Sequence, residues 1–131
     1  MDDATMYSRS GDEFVKRMNW EEAKRAWQRA LDDCRSTTNL NSRMEARLLN
    51  KIGIAYYIQD ELYNSYECFE EALRIQETAM DPGDEEMAVT LKNVWIVRVR
   101  MRQEVEGSLT RELLMLHIMN NLLVKLLMDG K

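Results

Sequence analysis

Only one of the 131 residues is proline and only five are glycine, and histidine occurs once, as His117. Five scattered glycines form no glycine-rich phosphate loop, and no EF-hand loop or metal-ligand spacing is present, which excludes the commonest nucleotide and metal sites. A Ser-His-Asp or Cys-His arrangement would have to use His117, which lies in a leucine-rich stretch with no motif around it. No enzyme chemistry, cofactor or metal is therefore expected. The two cysteines, Cys34 and Cys68, form no CxxC pair and read as small core fillers. Also missing is any alternating run of β-branched residues long enough for a sheet. There is no excess of positive charge: the net charge of −5 argues against nucleic-acid binding, which needs a basic face. No basic start followed by an apolar stretch and cleavage site appears, so the expectation is a cytoplasmic chain. Hydrophobic residues at 45% and charged residues at 31% suit one folded, helical domain.

What is present is an internal repeat. Gly11 and Gly53 lie 42 residues apart, and their surroundings match at that offset. Phe14 pairs with Tyr56, Ala23 with Ser65, Trp27 with Phe69, Ala30 with Ala72 and Leu31 with Leu73. Small residues fall on small ones and bulky apolar residues on bulky ones. A shared period is the mark of stacked units, each burying its face on the next. A third unit starts in register at Leu91 and Val94, then departs: Trp95 stands at the small position and Arg98 at the aromatic one.

The order small, aromatic, small, aromatic, small (Gly11, Phe14, Ala23, Trp27, Ala30, and again Gly53, Tyr56, Ser65, Phe69, Ala72) resembles the tetratricopeptide repeat. The period is longer than the usual ~34 residues and is similar to the kinesin-light-chain type. The resemblance implies an all-α, right-handed solenoid of antiparallel helix pairs over a single domain, residues 1–131. Repeat 1 covers about 3–35, repeat 2 about 40–80, and a divergent third with a capping helix about 84–128. Within each pair, close approach is expected at Gly11 with Ala23 and at Gly53 with Ser65, aromatics filling the wedge to the next pair.

Caps and periodicity give about six helices. Asp2 or Asp3 starts the first, which runs to about Met18. Asn19 with Glu22 caps the second, through Cys34, and Ser42 with Glu45 signals the third after the polar loop 36–39. Gln59-Asp60 is a turn before a fourth helix ending near Met80. Asp81-Pro82-Gly83-Asp84 breaks the chain, its acidic cluster starting a fifth helix. Gly107-Ser108 is expected to separate that helix from a sixth, Leu109 to Met128.

The resemblance further implies a protein-interaction adaptor whose first helices line a groove for a partner's peptide or helix. By register that groove holds Ser8, Arg9, Asp12 and Lys16, then Arg47, Asn50, Lys51, Ile54 and Tyr57, then Lys92, Asn93, Ile96 and Arg100. Asparagine amides there satisfy a peptide backbone, and the cations favour a segment with acidic residues. The subclass that grips chaperone C-termini is not matched: at its positions stand Ser8, Asp12, Lys51, Val89 and Asn93, with one cation among them. The second candidate surface is the last helix. Leu113, Leu116, Leu123 and Leu127 form one stripe, and Leu122 and Leu126 belong to a second, with Leu114 and Ile118. Arg111, Glu112, Asn120, Asn121 and Lys125 exclude a transmembrane span. The alternative function is thus a structural subunit that pairs with a second copy, as a homodimer, or with a partner helix through this surface.

Overall fold

The computed structural model describes residues 3–37 and 41–129. Among them are five helices and no strand: α1 (Asp3–Lys16), α2 (Trp20–Ser36), α3 (Ser42–Ile58), α4 (Leu62–Ala79) and α5 (Glu85–Asp129). The chain divides into two compact units, Met1–Arg98 and Val99–Lys131. The first holds α1 to α4 and the start of α5; the second is the remainder of α5.

In the first unit α1 folds back on α2, and α3 on α4, by one turn used twice. Met18 and Asp60, themselves 42 residues apart, both take positive φ, 58° and 62°. Around Met18 the amide of Asn19 donates to the Phe14 carbonyl (2.9 Å) and that of Met18 to Val15 (2.8 Å). Around Asp60 the amide of Glu61 donates to Tyr56 (2.9 Å) and that of Asp60 to Tyr57 (3.0 Å). These paired bonds satisfy the last carbonyls of each first helix and reverse the chain. Asn19 then caps α2, its side-chain oxygen accepting from the Glu22 amide at 3.3 Å. Glu61, the register equivalent, caps α4 without a side-chain bond.

The small residues explain how closely the helices approach. A Cβ on Gly53 would lie 2.6 Å from the Phe69 ring, and one on Gly11 would overlap the Trp27 indole. Each first helix therefore receives the large aromatic of its second helix directly on a glycine. The expected contact of Gly53 with Ser65 is present, since the Ser65 hydroxyl donates to the Gly53 carbonyl at 2.7 Å. The aromatic ring, rather than the second small residue alone, is what demands the glycine. Leu31, Leu48, Leu49 and Ile52 join Trp27 in the core, each at most 3% exposed. Such a side chain contributes about 1.5–3 kcal/mol by burial.

Two expectations are corrected and others lie outside the described residues. Asn41, not Ser42, caps α3, its side chain accepting from the Met44 amide at 3.0 Å. The proposed start at Asp2 and the loop residues Thr38 and Asn39 lie outside the described residues. The sixth helix does not exist as a separate element, because α5 runs unbroken through Gly107-Ser108 to Asp129. A glycine inside a helix costs only about 1 kcal/mol, no proline follows, and nothing lies within 4 Å of a Cβ at Gly107. Residues 109–128 are thus part of α5 rather than a separate capping helix. Trp95, at the register position of Gly11 and Gly53, is 65% exposed.

Candidate interaction surfaces

Five of the residues expected to line the groove, Ser8, Asp12, Asn50, Lys51 and Asn93, are joined to one another. Lys51 of α3 donates to both oxygens of Asp12 on α1 (2.8 and 3.1 Å) and to the Ser8 hydroxyl at 3.2 Å. Asp12 also accepts from the Trp27 indole N–H at 3.1 Å, and the Ser8 carbonyl shares that donor at 3.1 Å. The buried tryptophan thus ties α2 to the side of α1 that meets α3. One turn along, Asn50 donates to the Thr90 hydroxyl of α5 (2.7 Å) and accepts from the Asn93 amide (3.2 Å). Arg47 pairs with Glu86, and Arg43 bridges Glu86 and Asp84 at 2.6 and 2.9 Å.

Three cations, Arg43, Arg47 and Lys51, therefore face three carboxylates, Asp12, Asp84 and Glu86. The surface is locally neutral, and its charges join neighbouring first helices. Solvent screens each of these pairs, so they act on the register of neighbouring first helices together rather than singly. Arg43 holds the Asp84 carboxyl below the ordinary aspartate range, mainly through its hydrogen bond. Asp84 also accepts from the Glu86 amide at 2.9 Å, the helix-start role expected of the acidic cluster.

Of the remaining groove residues, Lys16 pairs with Glu13 of its own helix at 3.0 Å, while Arg9 and Lys92 are exposed. Ile54 is 41% exposed, and Tyr57 beside it is half-buried. The sequence reading missed Arg43, Asp84, Glu86 and Thr90. A signal was available, because these partners lie 39 to 43 residues apart, close to the repeat period. Advancing each polar residue of a first helix by one period lands on or near its partner.

The second surface is more exposed than the sequence suggested. Thirteen large apolar side chains between Leu109 and Met128 are each 45–71% exposed, including Leu113, Leu116, Leu122, Leu123, Leu126 and Leu127. His117 sits on this stretch within 3.3 Å of the Asn121 amide, an i, i+4 neighbour. No described helix is long and apolar enough to cross a membrane.

Neither cysteine is in a disulfide; Cys34 is buried and Cys68 partly so. Burial, with help from Glu71 and Glu67, pushes the Cys68 thiol up to about 11, so it stays protonated and unreactive at neutral pH. Among the described residues no group of three or more His, Cys, Asp or Glu is placed to hold a metal ion. No family model matches the chain and no curated protein is significantly similar to it, so the repeat resemblance rests on the chain's own internal pattern.

Proposed function

We propose that this chain is a non-enzymatic protein-interaction adaptor of the cytosol. It is read as a right-handed solenoid of tetratricopeptide-type helix pairs that takes a partner's peptide or helix along the surface of α1, α3 and the start of α5. One observation carries the reading. The same hairpin, with glycine under an aromatic ring and the same positive-φ turn, is built twice at a 42-residue offset. Repetition of that kind generates an extended face of first helices, the usual binding surface of such arrays. With Arg47 and Lys51 already paired to carboxylates, the acidic preference suggested by the cations alone weakens. A neutral or mixed segment suits the surface better, one that packs on Ile54 and Tyr57.

Selection of a displayed library of short random peptides on the immobilised chain tests this. Enriched peptides should lose binding to Ile54→Asp, an exposed substitution expected to move stability by no more than about 0.5 kcal/mol. Enriched peptides that bind the variant unchanged would remove the groove from the proposal.

A second reading, a structural subunit that self-associates through the end of α5, is favoured by the thirteen exposed apolar side chains there. Contiguous apolar surface of that extent marks an interaction site.

A further inference from the structure

The apolar surface of α5 is too wide for one neighbour. At 100° per residue, Ile118, Leu122, Leu126, Leu123, Leu113 and Val124 span an arc of roughly 240°. The opposite strip carries His117, Asn121 and Lys125, with Leu114 and Met128 between them. A two-stranded coiled coil uses a narrow seam of a and d positions, and a helix apolar over most of its circumference belongs inside a bundle. Thirteen side chains exposing on the order of 100 Å² apiece offer about 1,300 Å² of apolar surface per chain, the scale of a permanent interface between copies. The second unit is a single helix, so the other helices of a bundle must come from outside it.

A second copy of this chain is the occupant that fits best. Between Leu109 and Asp129 the charges are Arg111, Glu112, Lys125 and Asp129, net zero. That balance suits a self-complementary contact and lacks the lysine- and arginine-rich face of helices that lie on lipid. Direction follows from Glu112, which sits at the middle of the apolar arc. Parallel arms would gather every copy of this carboxylate at one level. Antiparallel arms centred between Ile118 and Met119 split them between the two ends. The same register sets Asn120, a polar residue near one edge of the arc, level with His117 of the neighbour. A buried asparagine with such a partner specifies register. Strict alternation of direction around a closed bundle requires an even number of helices, and more than two are needed to cover the arc.

Resting on the self-association reading, we propose that the ends of α5 from four copies pack as an antiparallel four-helix bundle, making the chain a tetramer. Sedimentation equilibrium of the full chain should give four times the chain mass of 15.5 kDa. Leu116→Glu with Leu123→Glu, at the middle of the arc, should reduce it to one chain mass. Asn121→Glu, on the polar strip, should leave the tetramer intact and controls for a general effect of added charge. A dimer would overturn the bundle while sparing self-association, and a trimer would overturn the antiparallel order. A wild-type monomer would sink both. Monomer that instead sediments with neutral phosphatidylcholine vesicles would assign the arc to lipid, and one that binds only a foreign helix would assign it to another protein.

Discussion

Gly53→Ala reverses the ordinary ranking of helix residues, and the structure supplies the reason. In an open helix the substitution stabilises by about 1 kcal/mol. At position 53 the new methyl would stand 2.6, 2.8 and 3.0 Å from three atoms of the Phe69 ring. Carbon atoms pack best at about 3.5–4.0 Å, so the ring or the helix must move by roughly 1 Å. Phe69 is only 3% exposed, and the Ser65 hydroxyl pins α4 to the Gly53 carbonyl beside it. Overpacking of a filled site costs about 1–3 kcal/mol. Subtracting the propensity gain leaves a net loss of up to about 2 kcal/mol. Urea unfolding followed by circular dichroism reads this as a lower midpoint. In a Phe69→Leu background the methyl has room, and the same Gly53→Ala change should become neutral or stabilising, a coupling of 1 kcal/mol or more. A raised midpoint for Gly53→Ala in the unmodified chain would refute the packing argument, since propensity alone would then explain the site.

Met18 takes positive φ yet is 74% exposed, so Met18→Gly removes backbone strain while losing little packing. It should raise the urea midpoint by an amount equivalent to about 1 kcal/mol, and a lower midpoint would count against the turn as described. Gln76 is 1% exposed with its carbonyl oxygen unpartnered, its amide only reaching the Glu86 carbonyl at 3.5 Å. An orphaned buried acceptor costs about 1–3 kcal/mol, so Gln76→Met should match or exceed the parent in thermal unfolding. Asp84 is held below its ordinary value of 3.8 by Arg43, so its contribution to stability is present above that value and disappears as pH falls through the lower folded one. Acid unfolding of Asp84→Asn should accordingly show a shallower pH dependence than the parent below about pH 4, and parallel curves would exclude the pair as a contributor.

The hairpins were legible because their determinants are local. Glycine and aromatic recur at the same offset, Asn19 caps as its spacing with Glu22 indicates, and Asp60 turns the chain where Gln59-Asp60 suggested. Legibility fails at the groove for a reason of distance. Lys51 reads as a binding cation until Asp12, 39 residues earlier, is found beside it. One-dimensional spacing gives each helix its exposed face, while the partner across that face depends on how two helices are juxtaposed.

By itself, then, the sequence determined the residues whose shape and periodicity act within one helix or one turn: the paired glycines, the rings that rest on them, and the apolar arc near the end of the chain. Only the tertiary structure decided that Gly107 interrupts nothing, because a glycine penalty of about 1 kcal/mol is too small to end a helix unless something packs against the bend. Tertiary structure also decided that Arg47 and Lys51 are spent on neighbouring helices and that the leucines after Leu109 stay exposed. Those outcomes depend on which surfaces meet in space, and no local pattern of residues encodes that meeting.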